Sequence, residues 1–270
     1  MADHAEAAGL AFVKLGGSLI TNKRQAYTAR RGVIGRLAGE VRAALEADAG
    51  LKLLLGHGSG SFGHWAAEPY GTEAGVETEA EWRGYAEVAA AAARLNRLVT
   101  DGFLEAGVPT LSLQPSASAV CHDGTVSRLS TGPIRGALEH GLVPLVYGDV
   151  ALDEVRGGTI ASTEDLFVYL AEELRPSRIL LLSRVSGVLD NDDEVIPVIT
   201  PDSYARWRHA LSGSDAVDVT GGMLDKVKRM VELVSRQPGV QVRILSGLEP
   251  GHLTAALLGE DGDTGTLITA

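Results

Sequence analysis

Leu53-Leu-Leu-Gly-His-Gly-Ser-Gly-Ser-Phe-Gly-His64 is the stretch from which the rest of the chain can be read. Three consecutive leucines, preceded by Leu51, read as a buried strand, and Gly56, Gly58, Gly60 and Gly63 let the backbone turn where side chains would block it. Such a turn can aim several N–H groups at an anion, and Ser61 and His64 add donors that reach phosphate oxygens. The stretch therefore reads as a phosphate cradle. Gly58-x-Gly60-x-x-Gly63 also matches the dinucleotide fingerprint, which needs a helix to begin at once with its N-terminus on the pyrophosphate. Pro69, Tyr70 and Gly71 would stop such a helix within about two turns. A glycine motif alone has low specificity, and a tight connection without a ligand is the plain alternative; the histidines flanking these glycines weigh against it.

The chain has 270 residues, 45% of them hydrophobic, enough for one large α/β domain or two lobes sharing a sheet. A net charge of −11 argues against a nucleic-acid surface and against attraction to anionic lipid, so any basic site must be local. A single cysteine, Cys121, excludes an intramolecular disulfide and a cysteine-rich zinc site and fits a reducing compartment. The N-terminus lacks the basic and apolar blocks of a signal peptide, and no apolar run reaches bilayer-spanning length. A cytoplasmic protein without membrane or nucleic-acid partners is the expectation.

Ahead of the cradle, residues Leu10 to Leu15 form an apolar strand interrupted by Lys14 and followed by Gly16-Gly17-Ser18. A lysine at the end of a buried strand is costly unless it meets an anion or leaves at the sheet's edge. The Lys-x-Gly-Gly-Ser order, with Lys23 and Arg24 near the same turn, favours the anion. From Thr28 to Ala47, Val33, Ile34, Leu37, Val41 and Leu45 recur at helical spacing and return the chain to the Leu51–Leu55 strand. Strand, helix, strand is a parallel crossover unit, which puts both glycine turns on the carboxyl edge where open α/β sheets bind ligands.

Beyond the cradle, residues 78 to 106 read as a long helix, core-facing or dimer-facing, with Trp82 and Tyr85 as alternative pocket walls. Strands follow at Val108–Leu113 and Leu142–Tyr147, with a helix at Thr131–His140 between them and Gly148-Asp149-Val150 after. Ala151 to Ile160 reads as a hairpin turning at Arg156-Gly157-Gly158. Ser162 caps the next helix, with Asp165 three residues on, and Glu164 and Asp165 also suit a first turn on dipole grounds alone. A strand at Arg178–Leu182, a helix at Pro201–Leu211 and a polar loop at Ser212–Asp218 precede a helix from Thr220 to Arg236. Lys226 sits in that helix's first turns, where the dipole disfavours a cation, so a ligand anion explains it better than the helix does. Val240–Leu245, a helix at His252–Leu258 and a strand at Gly265–Thr269 close the fold, with no repeat and no low-complexity linker.

Glycine-bearing turns, each with a cation, at strand ends and helix starts describe phosphoryl transfer, which needs fixed cations around in-line oxygens and little covalent participation. The Gly-x-x-x-x-Gly-Lys-Ser/Thr loop and the His-Arg-Asp and Asp-Phe-Gly signatures of protein kinases are absent from the sequence.

Through Lys14-Leu-Gly-Gly-Ser-Leu-Ile-Thr-Asn-Lys23, His57-Gly-Ser-Gly-Ser-Phe-Gly-His64, Gly148-Asp149-Val150, Leu181-Leu-Ser-Arg-Val-Ser-Gly-Val-Leu-Asp190 and Asp218-Val-Thr-Gly-Gly-Met-Leu-Asp-Lys226, the chain resembles the amino acid kinase superfamily. Within it, the chain looks like the isopentenyl phosphate kinases over nearly its full length. The resemblance implies an α/β fold: a three-layer αβα sandwich with a mostly parallel central sheet, usually a homodimer. It implies a single domain over 1–270, with an acceptor-binding lobe at about 1–175 and a nucleotide-binding lobe at about 176–270 taking ATP with Mg²⁺.

Carried over by position, the resemblance gives Lys14, Gly16, Gly17 and Ser18 to the ATP phosphates and Lys23 to the transferring phosphoryl group. Ser59 and Gly60 line the junction of the two phosphates, and His64 binds the acceptor's phosphate. Gly222 and Lys226 contact ATP, Glu164 is the acid that organises the lysines, and Thr163 is the small residue beside the acceptor. No residue is assigned as a protein ligand to metal. The chain departs from the family pattern at Ser59, where a glycine is usual, at Ser162-Thr-Glu-Asp165, where Ser-Gly-Asp-Asp is usual, and at Arg184, which replaces an aspartate before the nucleotide loop.

The activity so implied is transfer of the γ-phosphoryl of ATP to isopentenyl monophosphate. Its nucleophile is an already ionised phosphate oxygen, so no general base is required. Alternatives are a kinase for another small phosphate or phosphonate such as fosfomycin, and a nucleotide-responsive binding protein without turnover.

Overall fold

The computed structural model describes residues 9–211 and 222–270. In chain order the elements are β1 (Leu10–Leu15), α1 (Gly17–Ile20), α2 (Arg31–Ala47), β2 (Lys52–His57), α3 (Gly60–Ala67), α4 (Glu79–Glu105) and β3 (Thr110–Ser112). After a 3₁₀ turn at Pro115–Ala117 come β4 (Val120–His122), β5 (Thr125–Arg128), α5 (Gly132–Glu139), β6 (Val143–Tyr147), β7 (Asp149–Asp153), β8 (Gly157–Ala161) and α6 (Thr163–Leu174). The last part holds β9 (Arg178–Ser183), β10 (Val198–Ile199), α7 (Pro201–Leu211), α8 (Met223–Arg236), β11 (Gln241–Ser246), α9 (His252–Leu258) and β12 (Thr266–Ile268).

Eight strands form one sheet in the order β10-β12-β11-β9-β1-β2-β6-β3, and a smaller sheet runs β5-β4-β7-β8. In the large sheet every neighbouring pair is parallel except β11 with β12. Parallel strands joined by helical crossovers are covered on both faces, and the side-chain alternation shows it. Ala11, Val13, Leu15, Leu53, Leu55, Leu180 and Leu182 face one core with Leu37 and Val41 of α2, Leu95 and Val99 of α4 and Leu253 of α9. Phe12, Leu54, Ile179 and Leu181 face the other with Ile134 of α5, Phe167 and Leu170 of α6 and Val227 and Met230 of α8. This is the three-layer αβα sandwich that the resemblance implies.

Three local expectations change, and one hairpin, β4–β5, was not anticipated. The cradle is tighter than its glycines imply: β2 extends through Gly56 and His57 and α3 begins at Gly60, leaving Gly58 and Ser59 as the turn. Helix α2 starts at Arg31 rather than Thr28, because Ala29 bridges Thr21 and the amide of Arg30 donates to the carbonyl of Ile20. The β7–β8 hairpin turns before Gly157: the Asp153 carboxylate accepts from the amides of Val155 (2.9 Å) and Arg156 (2.8 Å) and folds the chain back early. The β4–β5 hairpin turns at Asp123-Gly124, with φ of 48° and 81°, the left-handed pair of a tight hairpin turn. Cys121 is buried between these strands and the core. The expected polar loop at Ser212–Asp218, and Asp218 to Gly221 of the nucleotide motif, lie outside the described residues. Among the described residues no helix is long and apolar enough to cross a membrane.

Candidate active site

The carboxyl ends of β1, β2, β6 and β9 and the first turns of α3, α6 and α8 converge on a cavity of about 310 Å³. Parallel pairing of β1 and β2 sets Lys14 opposite Gly56 and Leu15 opposite His57, so the two glycine turns leave the sheet side by side. They are locked together: the amide of Gly58 donates to the carbonyl of Leu15 (3.1 Å). Thr21 Oγ1 accepts from the amide of Ser61 (3.0 Å) and donates to the carbonyl of Gly17 (2.7 Å). The approach leaves no room for a side chain, since a Cβ on Gly17 would lie 2.6 Å from the amide nitrogen of Gly60.

Helix α6 delivers the acid. Its capping box is complete, with the Asp165 amide donating to Ser162 Oγ (3.1 Å) and the Ser162 amide to Asp165 Oδ2 (3.1 Å), which places Thr163 and Glu164 in the first turn. Thr163 Oγ1 donates to the carbonyl of His57 (2.7 Å). The carboxylate of Glu164 pairs with the ammonium of Lys14 and lies 4.0 Å from Nζ of Lys226. Burial by itself would raise the pKa of Glu164, but the charges of Lys14 and Lys226 outweigh it and hold the group down at about 2. One turn beyond Lys226, Arg229 sets Nε 3.2 Å from Asp165 Oδ1 and donates from Nη1 to Ser162 Oγ (3.2 Å), tying α8 to the N-terminus of α6.

Twelve of the thirteen residues singled out through the resemblance line this cavity, Lys14, Gly16, Gly17, Ser18, Lys23, Ser59, Gly60, His64, Thr163, Glu164, Gly222 and Lys226, and so does Ser61 of the cradle. Arg184 does not; it is exposed, and its neighbour Ser183 reaches the cavity instead. Trp82 and Tyr85 pack on each other, ring centroids 5.3 Å apart, and against the β7–β8 hairpin at Gly157 and Gly158, away from the cavity wall. Ile160, Ser183 and Arg229 line the cavity and were not anticipated. For Arg229 a signal existed, because a residue three after Lys226 on a helix shares its face.

Backbone amides at two turns and three lysines around a small cavity can neutralise several negative charges at fixed positions, as a polyphosphate requires. In this arrangement Glu164 offsets the charge of Lys14, and an incoming phosphate would compete for the same ammonium. Glu164 is paired with Lys14 and lies near Lys226, and among the described residues no cluster of three or more histidine, cysteine or acidic side chains could hold a metal ion.

The sheet order, the paired glycine turns and the lysine cluster define a phosphoryl-group-binding α/β protein. The chain belongs to the amino acid kinase family, whose model matches residues 9–246. It is 35% identical to the isopentenyl phosphate kinase of Methanothermobacter thermautotrophicus over 95% of this chain and 98% of that one. It is 38% identical to the isopentenyl phosphate kinase of Haloferax volcanii over 94% of this chain and 97% of the other. Among solved structures, an isopentenyl phosphate kinase determined by X-ray diffraction superposes with a TM-score of 0.81 at 33% identity, covering 96% of this chain and all of that one.

Proposed function

We propose that this protein transfers the γ-phosphoryl group of ATP to isopentenyl phosphate, giving isopentenyl diphosphate and ADP. The observation that carries the reading is that His64, on α3, lines the same cavity as the two glycine turns and the three lysines. Two phosphate groups must meet there, one from each substrate. Gly16, Gly17, Ser18 and Lys14 take the ATP phosphates with Gly222 and Lys226, and Lys23 meets the charge that develops on the transferring group. His64 donates to the acceptor's phosphate, Ser59 and Gly60 lie between the two, and Thr163 borders the acceptor. Glu164 aims Lys14 and Lys226. Positioning and neutralisation carry the reaction, because the attacking oxygen is already ionised.

Mg²⁺ in this reading would enter with ATP as part of the nucleotide substrate and supply further neutralisation of phosphate charge. The residues before about 175 form the acceptor lobe and those after it the nucleotide lobe, meeting in the sheet where β1 pairs with β9. A cytoplasmic homodimer, with neither nucleic acid nor membrane as partner, is the assembly we propose from the resemblance and the net charge of −11.

The test is ADP release with isopentenyl phosphate, with fosfomycin and with no acceptor, alongside identification of the product by mass. Turnover with isopentenyl phosphate and formation of its diphosphate are expected. Turnover restricted to fosfomycin would make the protein a phosphonate kinase, and ATP binding without turnover would make it a nucleotide-binding protein.

A further inference from the structure

His57 is the last residue of β2, immediately before the cradle's turn, and is fully buried. Its carbonyl accepts from Thr163 Oγ1 (2.7 Å) and from the amide of Gly148 (3.0 Å), so the starts of α6 and β7 both rest on it. Its ring stacks on Tyr147 at an interplanar angle of 6°, with Nδ1 3.1 Å from the carbonyl oxygen of Gly58 and Nε2 3.3 Å from Oδ1 of Asn96, so that both ring nitrogens face oxygen atoms. Nδ2 of Asn96 in turn donates to Ser112 Oγ (2.5 Å).

Burial pushes the imidazole's pKa down to about 4, so the ring is neutral near pH 7 and carries one N–H. Two neighbours compete for that proton, and only one can do without it. The Gly58 carbonyl can only accept, whereas a carboxamide presents either its oxygen or its NH₂. Satisfying both contacts therefore requires the proton on Nδ1 and a half-turn of the Asn96 amide, which brings its NH₂ to Nε2 and its oxygen to the Ser112 hydroxyl in place of the reverse. The other tautomer sets two lone pairs against each other at the Gly58 contact.

We propose that His57 is a positioning residue of the cradle: as the Nδ1–H tautomer it holds the Gly58 carbonyl toward the core and thereby turns the Ser59 amide toward the cavity. The two groups belong to one trans peptide unit, in which C=O and N–H point in opposite directions. Fixing the carbonyl therefore fixes the amide, and Ser59 lines the cavity. What that amide meets there is phosphate on the kinase reading, on which this part of the proposal rests; the tautomer itself does not depend on it.

The tautomer is read directly from long-range ¹H–¹⁵N correlation spectra of the full chain labelled at histidine, at neutral pH, with His57 assigned by the signal missing from His57→Asn. A protonated Nδ1 and bare Nε2 are expected, and a bare Nδ1 overturns the proposal whatever the enzyme's substrate. Kinetics test the consequence. Asparagine places an NH₂ near the position of Nδ1, whereas glutamine reaches toward Asn96. His57→Asn should keep kcat/KM for isopentenyl phosphate within about threefold of wild type, and His57→Gln should lose about tenfold or more, at matched melting temperatures, as expected for one hydrogen bond of about 1.4 kcal/mol. Equal losses, or the reverse ranking, overturn the positioning role. A wild type that turns over no acceptor overturns the kinase reading and leaves the tautomer measurement standing.

Discussion

Lys14, near the end of β1, and Glu164, in the first turn of α6, form an ion pair in which each side chain is only 9% exposed. Removing the acid takes away the carboxylate that both the buried ammonium of Lys14 and that of Lys226 face. Breaking such a pair costs about 3–5 kcal/mol, so Glu164→Gln should unfold at markedly lower urea concentration and lose most of its activity. The pH dependence has a definite sign. Glu164 has its pKa lowered from 4.5 to about 2 on folding, so its stabilisation is complete above pH 4.5 and is lost as pH falls from there toward 2. Urea unfolding at steps between pH 5 and 2.5 should show a shallower acid limb for Glu164→Gln than for wild type; parallel limbs would remove Glu164 as the source.

The lysines are expected to separate by kinetic signature. Lys14→Ala and Lys226→Ala should raise KM for ATP and lower kcat, since both contribute to holding the ground-state phosphates. Lys23→Ala should lower kcat with KM for ATP nearly unchanged, as for a contact made chiefly in the transition state. Steady-state kinetics at saturating acceptor check this, and a fully active Lys23→Ala would exclude that residue from the mechanism.

At Gly17 the test is steric. A Cβ there would stand 2.6 Å from the Gly60 amide nitrogen, backbone against backbone, so Gly17→Ala must spread the two turns. Overpacking of this kind costs about 1–3 kcal/mol, and the displaced amides should cut kcat/KM for ATP by about a hundredfold. Calorimetric titration with ADP should show the weakened binding directly; wild-type affinity would mean that the two turns do not act as one cradle.

His64 decides the acceptor. A charge-assisted hydrogen bond to phosphate is worth about 1.5–3 kcal/mol, so His64→Ala should reduce kcat/KM for isopentenyl phosphate by about one to two orders of magnitude while ADP binding persists. His64→Gln, which keeps a donor at similar reach, should recover part of that loss. Unchanged acceptor kinetics in folded His64→Ala would reduce the residue to packing beside the exposed Trp65.

Much of this site is legible without coordinates because its signals are local. The Lys14-x-Gly-Gly-Ser and His57-Gly-Ser-Gly turns follow apolar strands, and the Ser162 cap with Asp165 three residues on needs only the helix's own backbone to form. The periodicities that separate helix from strand likewise lie within single elements. Yet the Asp123-Gly124 hairpin, also a local signal, is easily passed over because its strands are only a few residues long.

The amino-acid sequence by itself determined the alternation of strands and helices, the chemistry at the strand ends and the caps, since these depend on neighbours along the chain. The resemblance already names Glu164 as the acid for the lysines; only the tertiary structure decided how closely it packs on Lys14, that Arg229 rather than Arg184 reaches the cavity, and that both ends of the His57 ring are occupied. Those outcomes follow from which face of the sheet each helix covers. Lys14 shares the parity of Phe12, and α6 and α8 pack on that same face because Phe167, Leu170, Val227 and Met230 bury their apolar surface there. That packing brings residues far apart in the chain within ion-pair distance, and no local pattern records it.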